Sequence, residues 1–595
     1  PAWEGALIHT EIRDGTNLCF HDHDKAAYKA FAGVDIPAEA VSKGGLPYGR
    51  IKGFPASRIV PDDHPILKFY QWFWTVGDGW NNLHTQVHRG LKTATQPGFW
   101  TFFDPAVRCP PIWGSGGEVD VISQWTYTYP DPPKMGQAAD ELFAMADGRP
   151  GQRVMKMTQV IWYRSGTAPS LPKNKEDYTE WEKNIPDAKF ITIAPDHLSE
   201  AFWFKLSRPV QGIMYHGWGS LVEAQHGSYR YTNPQTSKRL AALIREVALP
   251  LGATLIQIPD RGTDVALLES FASNVFGSRG TWGWGGAWAA NAHIMLQWAR
   301  MQPRIVYEET ILRDGLDNFK VLVMPDCDVL PQSVADRIRA WQRKGGVIVG
   351  DENLAPGLTP DVLIRKLDRK GPPDKDKAAL QAMAEQVRQE LSAVVTWFAD
   401  SSSPDAIVRV RTYKDTDYLF AVNDKRTYGD YVGQHRKVME KGLPLDAKVS
   451  IRRKGVWVYD LLASRLVDAK PSGEGVEWAV SFGPGEGRLF MVSPKPVGGV
   501  KVEIASRQPQ ERKAAVKVTV ADRDGKPLAA VAPVKVEILD PEGKPAEFSG
   551  HYGAKDGVVE LALDLAANDA AGTWTVKAVE LASGAKAEAQ FAYRK

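Results

Sequence analysis

Cysteine is scarce in this chain: Cys19, Cys109 and Cys327 are the only three in 595 residues. They lie far apart and are odd in number, so neither a disulfide framework nor a zinc-finger spacing follows. Each is expected to be a small buried hydrophobe. An excess of either charge is also lacking. There are 73 basic residues against 71 acidic, a net charge of +2, with no basic run interleaved with aromatics. That excludes the usual kind of nucleic-acid binder. No apolar run is long enough to span a bilayer. A signal peptide is missing too, but the chain opens at Pro1 without an initiator Met, so that absence says nothing about compartment.

What is present is tryptophan. The chain has 20, most of them before residue 300, in groups such as Tyr70-Gln-Trp72-Phe-Trp74 and Trp125-Thr-Tyr127. Such groups suit sugar-stacking platforms, and they suit packed cores equally in kind. With 43% hydrophobic residues the chain can bury several cores, and its length points to three to five domains at roughly 150 residues each.

Gly5 to His9 is a short apolar run that ends in Thr10-Glu11, followed by a polar loop and a helical pattern from Asp24 to Phe31. In a β/α barrel, catalytic groups stand at the C-terminal ends of strands, which makes Glu11 the first candidate carboxylate. Strand and helix patterns keep alternating to about residue 260. Phe99–Phe103 closes on Asp104, and Val119–Tyr127, Val154–Tyr163, Phe190–Ala194 and Gly212–Trp218 follow. Alternation of this kind implies a parallel sheet. Five or six strands are found where a closed barrel needs eight. The first barrel units are therefore expected in a separate N-terminal piece, cleaved or supplied in trans.

Residues 300–360 read as a strand–helix–strand unit of doubly wound type, with Gly345-Gly346 stopping its helix. No phosphate-binding glycine loop precedes that helix, so no nucleotide and no other cofactor is expected. A helix is expected over 378–400, and short alternating strands from Ile407 indicate a β-sandwich. Pro494–Gly499 reads as a linker into a last Ig-like sandwich. The predicted architecture is thus multidomain α/β plus β. It comprises a (β/α)8-type barrel over 1–265, a three-layer α/β domain over 266–400, and β-sandwiches over 401–496 and 497–595.

The order of these units resembles the multidomain glycoside hydrolases of the family 42 β-galactosidase type. Glu309-Thr-Ile-Leu-Arg-Asp-Gly-Leu316 through Val-Leu-Val-Met-Pro325, with Gly345-Gly346, is similar to that family's non-catalytic amidotransferase-like domain. Phe420-Ala-Val-Asn423 and Val458-Tyr-Asp460 resemble its trailing sandwich, and the last hundred residues resemble a macroglobulin-type or Ig-like module. The resemblance implies an acid/base Glu after the fourth barrel strand, matched by Glu11 if the chain opens there. It also implies a nucleophile after the seventh, where Trp162-Tyr163-Arg164 offers no carboxylate. It allows a dimer or trimer.

Glycoside hydrolysis needs two carboxylates. Asp104 leads as partner of Glu11, Asp196 is next, and Asp14 is a further alternative; each could instead cap a helix or pair with an Arg. Trp125, Tyr127, Trp162, His216 and Trp218 fall at strand ends and are the substrate-binding candidates. His21, Asp22, His23 and Asp24 could hold a metal through alternate side chains. Capping of the following helix by Asp22 or Asp24 is the favoured reading, so no metal is expected. The function expected is that of a secreted, periplasmic or cell-surface glycoside hydrolase acting on a polysaccharide or oligosaccharide. The alternatives are a non-catalytic glycan-binding or surface structural protein on a degenerate barrel, and an inhibitor-like protein. Against the last stands the lack of a Cys-Gly-Glu-Gln thioester motif.

Overall fold

The computed structural model describes residues 3–594 apart from 9–16, 78–80, 105–110, 164–173, 179–182, 184–187, 224–228, 280–287, 370–371, 428–431, 434–435, 438–440 and 507–512. Its first body is a parallel half-barrel. Gly5–Leu7, Trp100–Phe103, Val121–Ile122 with its continuation Trp125–Thr126, Arg153–Gln159 and Gly212–His216 pair in that order, all in parallel. Arg153–Gln159 shows why the pattern works. Val154, Lys156 and Thr158 are buried on the helix side, while Met155 and Met157 are half-buried on the other.

Prolines start several helices: Pro65–Thr75, Pro195–Leu206 and Pro234–Leu243 each have one in the first turn, where the lost N–H costs nothing. The aromatic group on Pro65–Thr75 is core: Phe69, Tyr70, Trp72, Phe73 and Trp74 are all buried.

One expected barrel strand is something else. Phe190–Thr192 pairs antiparallel with Ile161–Tyr163, forming a ribbon beside the half-barrel. A short run buried on both faces carries no information about strand direction.

The second body is a five-stranded parallel sheet. Its order is Arg304–Tyr307, Val265–Glu269, Val321–Met324, Val347–Gly350, Val362–Leu363, the flavodoxin-like arrangement with the first strand second in line. Its first strand in the chain, Val265–Glu269, is buried throughout and lies at the expected start of this domain, ahead of the strand–helix–strand unit read from residue 300. The helix expected at 378–400 runs over Pro373–Glu390, and Ala399–Ser401 is already a strand of the sandwich.

That sandwich packs a four-stranded sheet on a five-stranded one. The linker is shorter than expected: Pro494–Pro496 joins the two modules, and Val497–Ser506 is already a strand, with a register shift between Val497 and Gly499. Glycines there make a bulge rather than a hinge. The last module is a seven-stranded antiparallel sheet. It rests on two neighbours. The Tyr418 hydroxyl of the sandwich accepts from the Val531 N–H and donates to the Val531 carbonyl, both at 2.8 Å. On the half-barrel side, Gln257 Nε2 donates to the Gly553 carbonyl at 3.2 Å.

Candidate active site

The C-terminal edge of the half-barrel gathers the polar and aromatic residues. Glu11 and Asp14 lie outside the described residues. The strand that Glu11 follows in sequence, Gly5–Leu7, is paired in parallel with Trp100–Phe103, and Asp104 comes directly after the latter. Asp104 is buried.

Beneath this edge, between sheet and helices, is a charged layer. The Lys156 ammonium donates to the Gln124 carbonyl, to Thr126 Oγ1 at 2.7 Å and to the Met157 carbonyl at 3.1 Å. Burial pulls its pKa down to about 7, with the carboxylates of Asp104 and Glu141 opposing. Burial likewise pushes Glu141 up to about 8. Lys205, also depressed by burial, donates to Thr158 Oγ1 at 2.7 Å and lies over the Tyr215 ring at 4.3 Å.

A lysine whose folded pKa lies below its ordinary 10.5 favours the fold fully at high pH and loses that contribution as pH falls to the folded value. Wild type is therefore expected to gain stability relative to Lys156→Met between pH 7 and 10, in denaturant titrations compared pH by pH. A difference independent of pH would mean that Lys156 stays charged when folded.

An aromatic wall stands along the edge. Trp125 and His216 meet edge to face at 5.8 Å between ring centres. His216 Nε2 lies 3.1 Å from the Tyr229 hydroxyl. Tyr127 packs on Tyr163 at 5.6 Å and on Tyr129 at 5.3 Å. Burial raises the pKa of Tyr127 and Tyr129, so both keep their hydroxyl protons as donors. Phe190 closes the group against Tyr163 and Tyr229. Trp218, 64% exposed, follows on a short turn. That turn needs Gly217, which has φ 97° and where a Cβ would sit 2.7 Å from Ile161.

Two expected residues stand elsewhere. Trp162 is only 1% exposed, with its indole N–H on Thr128 Oγ1 at 3.3 Å and its ring against His197. It belongs to the core because Ile161–Tyr163 leaves the barrel as the side ribbon. Asp196 sits in the first turn of Pro195–Leu206, where its Oδ2 accepts the Gly442 N–H at 2.9 Å. It serves the junction with the sandwich, and burial raises its pKa.

Sequence reasoning missed Tyr163, Tyr229, Lys156 and Gln159. Gln159 ends its barrel strand in register with His216. It is fully buried, and its amide has no hydrogen-bond partner among the described residues. Strand alternation puts it on the face of Met155 and Met157, a signal present in the sequence.

No protein-family model matches this chain, and no curated relative does either. Solved structures do. The chain is similar in structure to glycoside hydrolases. An α-L-fucosidase isoenzyme 2 from Paenibacillus thiaminolyticus is 12% identical with a TM-score of 0.44, over 72% of this chain and 73% of that one. A β-galactosidase from Bacillus circulans sp. alkalophilus is 12% identical with a TM-score of 0.46, over 72% and 68%. A catalytic mutant of Gan42B, a GH42 β-galactosidase from G. stearothermophilus, is 12% identical with a TM-score of 0.42, over 79% and 73%. Likeness of this degree assigns no residue and no activity, so the functional reading rests on the site itself.

Proposed function

We propose that this chain is a glycoside hydrolase of polysaccharide or oligosaccharide, working outside the cytoplasm, with Glu11 as acid/base and Asp104 as its carboxylate partner. One observation carries the reading. The C-terminal edge of a parallel β/α half-barrel combines a buried carboxylate with a wall of Trp125, Tyr127, Tyr163, His216 and Tyr229. Aromatic faces stack on the apolar faces of sugars, while imidazole and phenol groups bond their hydroxyls. A buried carboxylate at the end of a neighbouring strand suits the second role in glycoside hydrolysis, that of base or nucleophile opposite the acid.

Gln159 favours a second reading. Where the family 42 resemblance implies a nucleophilic carboxylate, this strand ends in a neutral amide, as a glycan-binding protein on a degenerate barrel would. Turnover separates the two. Wild type and Glu11→Gln are digested side by side against a broad polysaccharide panel, with any copurifying N-terminal fragment retained. Sugar release by wild type alone supports the hydrolase; binding without release by either protein supports the second reading. On a hydrolysed substrate, Trp125→Ala is expected to raise KM about 10-fold with a smaller change in kcat, since one aromatic contact is worth about 0.5–1.5 kcal/mol.

A further inference from the structure

We propose that Cys19, His21, His23 and Asp24 form a tetrahedral site for a borderline divalent transition metal, zinc foremost. This inference is independent of the hydrolase reading. The capping role first expected for Asp22 or Asp24 does not hold: the residue flanking the helix Asp22–Ala32 is His21, which makes no side-chain capping bond, and both aspartates lie inside the first turn. Their neighbourhood shows a different convergence. One donor atom each from Cys19, His23 and Asp24 lies within 4.8 Å of the others. His21 Nδ1 stands 2.7 Å from the Cys19 sulfur and 4.0 Å from Asp24 Oδ2. His23 Nε2 stands 3.1 Å from the same Asp24 oxygen.

Thiolate, imidazole and carboxylate are the ligand types of zinc. Bonds of about 2.0–2.3 Å in a tetrahedron place neighbouring donors roughly 3.3–3.8 Å apart. The separations of 2.7, 3.1 and 4.0 Å fall on both sides of that range, and His21, which stands outside the three converging donors, turns in to supply the fourth ligand. Burial suits an entry path as well. Asp24 is 5% exposed in its side chain and anchors the floor, while His21 and His23 are 78% and 77% exposed and free to swing over the ion. Hard cations that prefer six or more oxygens are disfavoured by a sulfur and two nitrogens. Binding displaces the thiol proton to solvent and leaves the imidazoles neutral, so affinity falls as pH falls.

The test is a Co²⁺ titration of the whole, untagged chain after chelator treatment, followed by displacement with Zn²⁺. The expected result is a thiolate-to-cobalt charge-transfer band and strong tetrahedral visible bands, saturating at a single equivalent and erased by Zn²⁺. Cys19→Ser should abolish the charge-transfer band, while Cys109→Ser and Cys327→Ser retain it. His23→Gln and Asp24→Asn should weaken metal binding about 100-fold with circular dichroism unchanged. Cys19→Ser binding Zn²⁺ as tightly as wild type would overturn the proposal, and so would a weak octahedral cobalt spectrum without the band.

Discussion

Asp104→Asn is expected to lower kcat by about 100- to 10,000-fold on whichever glycan wild type cleaves, the range supplied by a positioned acid or base. The substitution keeps the shape and removes the charge. KM should move little, because the aromatic wall proposed to stack on the sugar is untouched. Asp104 also acts on Lys156 across the buried layer, so some loss of stability will accompany the loss of rate. The two effects separate cleanly: unfolding reports on Lys156, and the pH–rate profile reports on catalysis. A variant within threefold of wild-type kcat would remove Asp104 from the chemistry and leave it as the counter-charge of a buried lysine.

The second large effect is on stability. Arg426→Met is expected to cost about 3–5 kcal/mol, the usual penalty for breaking a buried ion pair from one side. The Arg426 side chain is 0% exposed and meets three carboxyl groups from different parts of the chain: Asp424 at 2.6 Å, Asp131 at 2.9 Å and Glu200 at 3.3 Å. Asp131 belongs to the half-barrel, as does Glu200 on Pro195–Leu206. Asp424 is further bound by Lys377 at 2.8 Å and by the Trp298 N–H at 2.8 Å.

Burial and the neighbouring Asp424 raise the pKa of Glu200, so it carries the proton. Against burial, Arg426 and Lys377 hold Asp424 below the usual carboxylate range. Glu200 therefore contributes stability that is full below its unfolded value and is lost as pH rises through its folded one. Asp424 does the reverse and loses its contribution as pH falls. Removing the guanidinium leaves both carboxyls buried without their fork. Arg426→Lys keeps the charge but cannot present two nitrogens to separate carboxyl groups as Nη1 and Nη2 do, and should recover only part of the loss. Differential scanning calorimetry is expected to show a drop on the order of 10 °C. An unchanged transition would mean that the network is neutral to folding.

Much of the architecture was legible in local pattern. Alternating strand and helix patterns marked the parallel half-barrel, and short alternating strands from Ile407 marked the sandwich. What failed was direction and partnership. Phe190–Thr192 and Val265–Glu269 are short segments buried along their whole length, and nothing in such a segment says whether its neighbour is parallel, antiparallel or in another domain. Trp162 misled because the strand was carried past Gln159, where the chain turns out of the barrel. In the site, the aromatics at strand ends could be named from sequence, but His216 and Tyr229 meet only through the fold. The ties of Arg426 to Asp131 and Glu200 cross more than two hundred positions and leave no local trace.

The seating of the last module has a mechanical consequence. Tyr418 ties it to the sandwich and Gln257 ties it to the half-barrel, so it closes a loop instead of trailing as a bead on a string. A pulling force applied to this module is shared between two anchors, and neither releases until the other is strained. Deleting the module would remove a brace from both neighbours.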